Sequence, residues 1–217
     1  MAQQILIIGL GQFGMALAHA LAEKGAEVLA VDRNRNRVEE AAAFAAEAVA
    51  IDATDEEELL RLQPAQRDAV VCAIGDSSKE ASIICTALLR QMGVRNIVSR
   101  ANDKVHKRIL QLVGANEIIT PELEFGKRFA TKLLYRHILA DTTLGDDLLL
   151  TEICPPPAMV GKNLIQLELP RKFDAIVAAI RRNGKLQRPN PNEPLSADDR
   201  LIIVSSEEAI AKLSKEA

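Results

Sequence analysis

A glycine motif near the start of the chain has the spacing of a phosphate-binding loop. The motif, Gly-x-Gly-x-x-Gly, occupies residues 9–14 and lies between the apolar run Ile5–Ile8 and a helical stretch. In such a loop Gly9 permits a tight turn, Gly11 lets a phosphate approach the backbone, and Gly14 allows the helix and strand to pack closely. The free N–H groups and positive dipole end of the helix then suit a diphosphate. The motif therefore indicates a nucleotide-binding loop.

An acidic residue follows the second strand-like run at the distance expected for ribose recognition. Asp32 comes 23 residues after Gly9, and a carboxylate at that place can accept hydrogen bonds from both hydroxyls of an adenosine ribose. The same charge repels a 2′-phosphate, so Asp32 favours a plain ribose over the NADP type. The glycines alone would be explained by a turn, but together with Asp32 they predict nucleotide binding.

Polar and small residues follow three further strand-like runs, and parallel strands bring such ends to one edge of a sheet. The residues are Asp52, Ala53 and Thr54 after the third run, Ala73, Ile74 and Gly75 after the fourth, and Arg100 after the fifth. We expect the first two groups to contact an adenine ring and Arg100 to reach the phosphates. In the structural alternative, Asp55 and Ser77 cap the helices that follow, and Arg100 is an ordinary surface arginine.

Residues that hydride transfer or hydrolysis would need are missing from the expected places. None of the three histidines (His19, His106 and His137) follows a strand-like run, and Tyr135 has Leu139 rather than lysine four residues later. The sequence has neither a Gly-x-Ser-x-Gly elbow nor a Gly-Lys-Ser/Thr phosphate loop. We therefore expect a chain that binds a nucleotide without turning it over. A small NAD-dependent oxidoreductase is the alternative.

Strands and helices alternate in the first 120 residues. The apolar runs lack the alternation of half-exposed strands, which is typical of a parallel sheet with helices on both faces. The predicted strands are Ile5–Ile8, Glu27–Val31, Ala48–Ile51, Ala69–Ala73, Asn96–Ser99 and Glu117–Ile119. The predicted helices are Phe13–Lys24, Arg35–Ala46, Glu56–Leu62, Ser78–Met92 and Lys104–Val113. This order predicts an α/β fold with a doubly wound parallel Rossmann sheet.

A different kind of segment begins at Pro121. We predict a helix from Glu122 to about Leu139, in which Phe125, Phe129 and Leu133 share one face. An apolar stripe of this kind is typical of a helix that docks on another surface.

The remainder of the chain is punctuated by proline, since seven of the nine prolines lie in the last 67 residues. The predicted elements are strands at Leu148–Ile153 and Arg200–Val204, a hairpin of Ala175–Arg181 with Lys185–Gln187, and a short terminal helix. The sequence thus divides into a nucleotide-binding lobe at 1–120, a linking helix at 121–140 and a smaller α+β lobe at 141–217.

Composition limits the class of partner. The chain has 217 residues, of which 48% are hydrophobic and 3% aromatic, and its net charge is −3. It can form an aliphatic core but lacks the positive excess of a nucleic-acid binder. The lack of a basic recognition helix also argues against a third hypothesis, a redox-sensing transcription regulator. Three cysteines without close spacing indicate a reducing compartment, and no apolar run reaches the roughly 18 residues that cross a bilayer. We expect a cytoplasmic protein.

These motifs resemble those of the RCK (regulator of conductance of potassium) family, the cytosolic subunits of Trk/Ktr-type potassium uptake systems. The resemblance covers essentially the whole chain. The matching segments are residues 7–14 (Ile-Ile-Gly-Leu-Gly-Gln-Phe-Gly), Val31-Asp32, Asp52-Ala53-Thr54, Ala73-Ile74-Gly75, Ser99-Arg100-Ala101-Asn102, Gly114-Ala115 through Pro121-Glu122, Met159–Lys162 and Asp199–Val204.

The resemblance implies a Rossmann lobe that binds ATP, ADP or NAD(H). The implied nucleotide-binding residues are Gly9, Gly11, Gln12, Phe13, Gly14, Asp32, Arg33, Asp52, Ala53, Thr54, Ala73, Ile74, Gly75, Arg100 and Glu122. Glu122 would lie near the γ-phosphates at a dimer interface, where a divalent or monovalent cation joins them. Many triphosphate-responsive relatives carry arginine where this chain has Gln12, so the choice among the three nucleotides stays open.

The resemblance also implies partners. Members of the family dimerise through the late helices and assemble as an octameric ring beneath a membrane-embedded potassium-translocating subunit, at the inner face of the membrane. Nucleotide exchange would change the shape of the ring and so gate potassium flux. In some relatives the C-terminal lobe binds cyclic di-AMP, but here Pro170 precedes Arg171 and displaces the arginine expected for that ligand.

Overall fold

The computed structural model describes residues 2–75, 78–134, 137–145 and 147–215. The chain divides into two compact units, Met1–Leu123 and Glu124–Ala217. Ser77, an expected helix cap, and Tyr135, which lacks the lysine of an acid/base pair, lie outside the described residues. Within the described ranges, no helix combines the length and apolar character that spanning a bilayer requires.

A six-stranded parallel sheet forms the centre of the first unit. Its strands are β1 (Gln4–Ile8), β2 (Glu27–Asp32), β3 (Glu47–Ala50), β4 (Ala69–Cys72), β5 (Ile97–Arg100) and β6 (Glu117–Ile119). They are arranged in the order β3-β2-β1-β4-β5-β6, so the chain crosses over between β3 and β4 and leaves a switch point between β1 and β4. The structure therefore confirms the predicted doubly wound Rossmann sheet.

Both faces of this sheet are buried, as the absence of alternation in the sequence predicted. Leu6 and Ile8 of β1 pack into one apolar cluster, which also includes Leu89. Ile5 and Ile7 of the same strand pack into a second cluster. Successive side chains of a strand point to opposite faces, so β1 needs apolar residues at each of its buried positions, Ile5 to Ile8.

Helices connect the strands of the first unit. They are α1 (Gln12–Glu23), α2 (Arg35–Ala41), α3 (Glu56–Arg61), α4 (Lys79–Gln91) and α5 (Lys104–Val113). Helix α2 ends five residues before the predicted Ala46, and turns connect it to β3. Asp55 caps α3 by accepting hydrogen bonds from the backbone N–H groups of Glu57 and Glu58, as predicted. Ser78 caps α4 by accepting from Ala81.

The second unit contains a five-stranded antiparallel sheet. Its strands are β7 (Ile138–Gly145), β8 (Leu148–Ile153), β9 (Ile176–Arg182), β10 (Lys185–Gln187) and β11 (Arg200–Ser206), in the order β10-β9-β11-β8-β7. Its helices are α7 (Leu164–Leu167), α8 (Leu169–Phe173) and α9 (Glu207–Lys215). This arrangement confirms the predicted smaller α+β lobe with its β9–β10 hairpin.

The helix that begins at Pro121 is shorter than predicted. Helix α6 covers Pro121–Leu134 and β7 begins at Ile138, so the predicted continuation to Leu139 is wrong. Ile138 pairs with Ile153 in the antiparallel ladder and is only 2% exposed in the core of the second unit. Burial of this side chain and the pairing with β8 determine the structure there, and both depend on residues distant in sequence.

Candidate nucleotide site

A cavity of about 340 Å³ opens at the carboxyl ends of the first five parallel strands. It lies at the switch point between β1 and β4, where open α/β sheets bind their ligands. Eleven of the residues proposed from the sequence line it: Gly9, Gly11, Asp32, Arg33, Asp52, Ala53, Thr54, Ala73, Ile74, Gly75 and Arg100. The strand ends that were expected to converge therefore do so.

Two glycines of the motif are required by packing. Gly9 has φ of 97°, and a Cβ there would come 2.8 Å from the backbone nitrogen of Ile74. A Cβ at Gly14 would overlap the carbonyl oxygen of Gly9. These two positions allow the loop, β4 and α1 to approach one another closely.

Gly11 differs from the other two glycines. Its φ is −67° where it precedes α1, and among the described residues no heavy atom lies within 4 Å of a Cβ built on it. Gly11 lines the cavity, and the first N–H groups of a helix have no partner inside the helix. The open space beside Gly11 and these donors form a cradle suited to a phosphate.

The Asp32 carboxylate is fixed by backbone groups from two elements. Its Oδ2 accepts a hydrogen bond from the N–H of Leu10 at 2.7 Å, and its Oδ1 accepts one from the N–H of Asn34 at 2.8 Å. Asp32 is 8% exposed and lines the cavity. The two donors hold the carboxylate in one orientation at the end of β2.

Asp52 is a second carboxylate in the lining. Its Oδ1 accepts hydrogen bonds from the backbone N–H of Thr54 at 3.0 Å and from the Thr54 hydroxyl at 2.7 Å. These bonds, the backbone one first, lower the pKa of Asp52, and the nearby Arg33 adds a smaller effect in the same direction. Asp52 is therefore ionised at neutral pH, which makes it a hydrogen-bond acceptor at the wall opposite Arg100.

Arg100 is buried rather than an ordinary surface arginine, with 9% exposure. Its Nη2 donates to Oε1 of Glu122 at 2.6 Å and its Nε donates to Oε2 at 3.3 Å. The guanidinium carbon also lies 5.9 Å from the centre of the Phe13 ring. Gly75 leaves room for it, since a Cβ there would come 2.9 Å from Nη1.

Four of the proposed residues stand outside the lining of the cavity. Gln12, Phe13 and Gly14 belong to α1, and Glu122 is the second residue of α6. Phe13 and Glu122 contact Arg100, so they bear on the cavity indirectly. No group of three or more His, Cys, Asp or Glu residues in the described part of the chain forms a metal site, so a cation at Glu122 would need phosphate oxygens as further ligands.

Several lining residues were not predicted from the sequence. Asn34, Arg37, Ser78 and Ala81 face the cavity from the starts of α2 and α4. Their position in the sequence could have indicated them, because each lies shortly after the carboxyl end of β2 or β4. Arg37 also forms an ion pair with Asp32, with 3.4 Å between its Nη1 and Oδ2.

The described lining contains no histidine, cysteine or tyrosine. Cys72, at the end of β4, is fully buried behind it. A hydrogen bond from the Cys85 thiol lowers the pKa of Cys72 to about 7, whereas the same contact and burial raise the pKa of Cys85. The polar groups that face the cavity are carboxylates, guanidinium groups, hydroxyls and backbone amides, which bind sugar and phosphate.

Comparison with known proteins gives matches to both units. Residues 5–121 match the TrkA-N domain and residues 152–217 match the TrkA-C domain. The "Ktr system potassium uptake protein A" of Vibrio alginolyticus is 35% identical over 214 residues, which cover 98% of this chain and 97% of that protein.

Two solved structures share the fold. The crystal structure of the GsuK RCK domain aligns with a TM-score of 0.66 at 18% identity and covers 99% of this chain and 47% of that one. The GsuK channel bound to NAD aligns with a TM-score of 0.65 at 18% identity and covers 98% of this chain and 39% of that one. The chain thus spans less than half the length of these two solved chains.

Proposed function

This chain belongs to the RCK (regulator of conductance of potassium) family, and from that premise we propose that it is a non-catalytic, nucleotide-sensing regulatory subunit of a potassium uptake system. The observation that carries the proposal is the cavity at the β1–β4 switch point, which is lined by Gly11, Asp32 and Arg100 together. The relative from Vibrio alginolyticus is named as a potassium uptake protein and matches along nearly its whole length, which supports the same role here.

The lining suits an adenosine nucleotide, either ATP, ADP or NAD(H). The phosphates lie beside Gly11 and the start of α1, Asp32 accepts hydrogen bonds from the ribose, and the base lies between the 52–54 and 73–75 segments. Arg100 lies within reach of the terminal phosphates.

Sensing depends on an exchange of partners by Arg100. In the structure its guanidinium is paired with Glu122 at 2.6 Å, and a phosphate group entering the cavity competes for the same donors. Glu122 is the second residue of α6, so its release leaves an uncompensated negative charge at the start of that helix. A nucleotide shifts a conformational equilibrium only by its differential affinity for the two states, and this exchange supplies such a difference, typically 1–3 kcal/mol. Once released, Glu122 can hold a cation against the γ-phosphate.

Assembly uses the apolar stripe of α6, which we define as Phe125, Phe129 and Leu133. These side chains are 60%, 47% and 68% exposed in the single chain, and the rings of Phe125 and Phe129 stack at 5.7 Å. Burying them against a second copy gives the dimer from which an octameric ring is built. The ring acts from the cytoplasmic side on a membrane-embedded potassium-translocating subunit. Cyclic di-AMP binding by the second unit stays a prediction.

Calorimetric titration of the purified chain with ATP, ADP and NADH tests the nucleotide site. We expect dissociation constants below millimolar for at least one of them and loss of binding in Asp32→Ala. If no nucleotide binds, or if Asp32→Ala binds as the wild type does, the site is wrongly assigned. Sustained reduction of NAD by a small substrate would instead favour the oxidoreductase alternative.

Mass measurement in solution tests the assembly. Phe129→Asp places a charge in the α6 stripe and should reduce the oligomer to smaller species. Lys127→Asp introduces the same side chain on the opposite side of the helix and should leave the mass unchanged. A wild-type chain that is monomeric at micromolar concentration contradicts the ring and the gating role with it.

A further inference from the structure

Arg37 lines the cavity beside Asp32, the carboxylate proposed to bind the ribose. It is the third residue of α2. Its Nη1 lies 3.4 Å from Oδ2 of Asp32. The guanidinium therefore occupies space and hydrogen-bonding capacity that a ribose at Asp32 would use.

Asp32 has too few acceptor sites to bind Arg37 and both hydroxyls of a ribose at the same time. An ionised carboxylate offers about four lone-pair sites. The N–H groups of Leu10 and Asn34 take one site on each oxygen, and Arg37 takes the second site on Oδ2. One site on Oδ1 remains. A ribose that donates from both its 2′- and 3′-hydroxyls needs two, so Arg37 has to leave.

The two partners of this ion pair are not equally mobile. The side chain of Asp32 is 7% exposed and that of Arg37 is 50% exposed. Two backbone donors fix Asp32, whereas its 3.4 Å contact with Arg37 is long beside the roughly 2.7–2.9 Å of strong charge-assisted bonds. Arg37 is therefore the group that moves when a ligand arrives.

We infer that Arg37 is a specificity-determining residue of the nucleotide site, because it covers the second acceptor site of Asp32 until a ligand with both ribose hydroxyls displaces it. The inference rests on the proposed function, since it requires an adenosine nucleotide in this cavity. A ribose exchanges one long ion-pair contact for two hydroxyl donors. A 2′-deoxyribose brings one hydroxyl, which the free site on Oδ1 can accept with Arg37 in place.

The test measures the preference for ribose over deoxyribose. Arg37→Met keeps the length of the side chain but removes the donor and the charge. Arg35→Met removes the same charge from an exposed position two residues earlier that is outside the lining, so it reports the general electrostatic effect on a polyphosphate. ATP and 2′-deoxy-ATP are titrated against both variants and the wild type by calorimetry.

We expect the ratio of the 2′-deoxy-ATP to the ATP dissociation constant to rise about two- to five-fold in Arg37→Met, as removal of a part-exposed ion pair allows. The ratio should be unchanged in Arg35→Met. An unchanged or smaller ratio in Arg37→Met overturns the inference, because Arg37 then contacts the ligand or takes no part. NADP binding that is lost only in Arg37→Met also overturns it, since Arg37 would then bind a 2′-phosphate. If the wild type binds neither ATP nor its deoxy form, it is the proposed site that fails.

Discussion

Two arginines, one in each unit, lie beside cavities and differ in how firmly they are held. Arg100 in the first unit pairs with one carboxylate, that of Glu122, whose side chain is 61% exposed. Arg182 in the second unit donates to both oxygens of Asp199 at 2.7 and 2.6 Å, to Glu193 and to the carbonyl oxygen of Pro194. It lines a cavity of about 300 Å³. A cavity beside an arginine therefore indicates a ligand site only where the partner of the arginine can be exchanged.

The sheets explain why the two units differ in this way. In the parallel sheet every carboxyl end meets the same edge, so Asp32, Ala73 and Arg100 reach one cavity although the sequence separates them widely. Successive strands of the antiparallel sheet end at opposite edges. There Arg182 at the end of β9 and Asp199 just before β11 meet across adjacent strands and neutralise each other. In the first arrangement the arginines at the cavity have carboxylate partners or positions that are exposed to solvent, whereas in the second the pair is largely buried and contributes to stability.

The largest expected effect comes from a methyl group on the glycine loop of the first unit. In Gly14→Ala the Cβ would overlap the backbone oxygen of Gly9, and a backbone contact can be relieved only by moving the loop. We expect a loss of about 3 kcal/mol in the free energy of unfolding, at the upper end for overpacking. Urea denaturation followed by circular dichroism measures it.

Gly11→Ala is the matched control for that substitution. Its Cβ meets no described atom within 4 Å, so the loss of stability should be limited to about 1 kcal/mol or less, because alanine is a poorer N-cap than glycine. ATP affinity should fall at least about ten-fold, because the methyl group stands where the phosphate approaches. Equal stability losses in the two variants would contradict the separate roles of these glycines.

In the second unit, Arg182→Met should cost stability and leave nucleotide affinity unchanged. The substitution leaves the Asp199 carboxylate, 1% exposed, with the backbone N–H of Ser196 as its remaining donor. We expect a loss of about 2 kcal/mol, below the usual range for a fully buried pair because the Arg182 side chain is 22% exposed. In the control Arg181→Met, a more exposed pair with Glu152 is lost, at a cost of about 1 kcal/mol or less.

The same pair predicts a pH dependence of stability. Hydrogen bonds from Arg182 hold the pKa of Asp199 below its ordinary value. A carboxyl group with a lowered folded-state pKa contributes stability that is fully present above its unfolded value of about 3.9 and is lost as pH falls through the folded one. Wild-type stability should therefore decline more steeply below about pH 4 than that of Arg182→Met. Urea titrations at pH 7 and pH 3 measure the free energy of unfolding of both proteins. An equal loss between the two pH values in the wild type and in Arg182→Met would show that the Arg182–Asp199 pair does not cause the pH dependence.

The sequence predicted the first unit more completely than the second. Strands such as β1 and β4 consist largely of continuous apolar residues, and such runs predict strands that are buried on both faces of a parallel sheet. Gly9 and Gly14 mark the loop between the first strand and the helix that follows. No local signal in the sequence marks the boundary between α6 and β7, because no glycine or proline lies between Leu134 and Ile138. Ile138 is a strand residue because it pairs with Ile153, and that pairing is tertiary.

The candidate site likewise has a part that the sequence predicted and a part that it did not. Residues of the motif and the strand ends were predictable because topology alone brings them together. Partners of those residues were not predictable, since the Arg100–Glu122 and Arg37–Asp32 pairs depend on side-chain direction. Arg100 is buried partly because Gly75 leaves space for its guanidinium, and the spacing of residues in the sequence could not predict this contact.

The smallest expected effect concerns the exchangeable pair itself. Glu122→Gln removes the negative charge that holds Arg100 while keeping an acceptor of the same size. Without divalent cations, ATP should bind about two- to five-fold more tightly, as loss of a part-exposed ion pair allows, while adenosine affinity stays unchanged. With Mg²⁺ present the sign should reverse, because the carboxylate that would hold the cation beside the γ-phosphate is gone.

Glu117→Gln makes the same change of charge at an exposed position in β6 and should leave ATP affinity unaltered in both conditions. Calorimetry with and without Mg²⁺ separates the two variants. If Glu122→Gln instead destabilises the fold as much as Arg182→Met does and leaves ATP affinity unchanged, then Arg100 is a structural arginine like Arg182. In that case the cavity beside Arg100 would not differ from the cavity beside Arg182 in having an exchangeable arginine. Other residues would then have to sense the terminal phosphates.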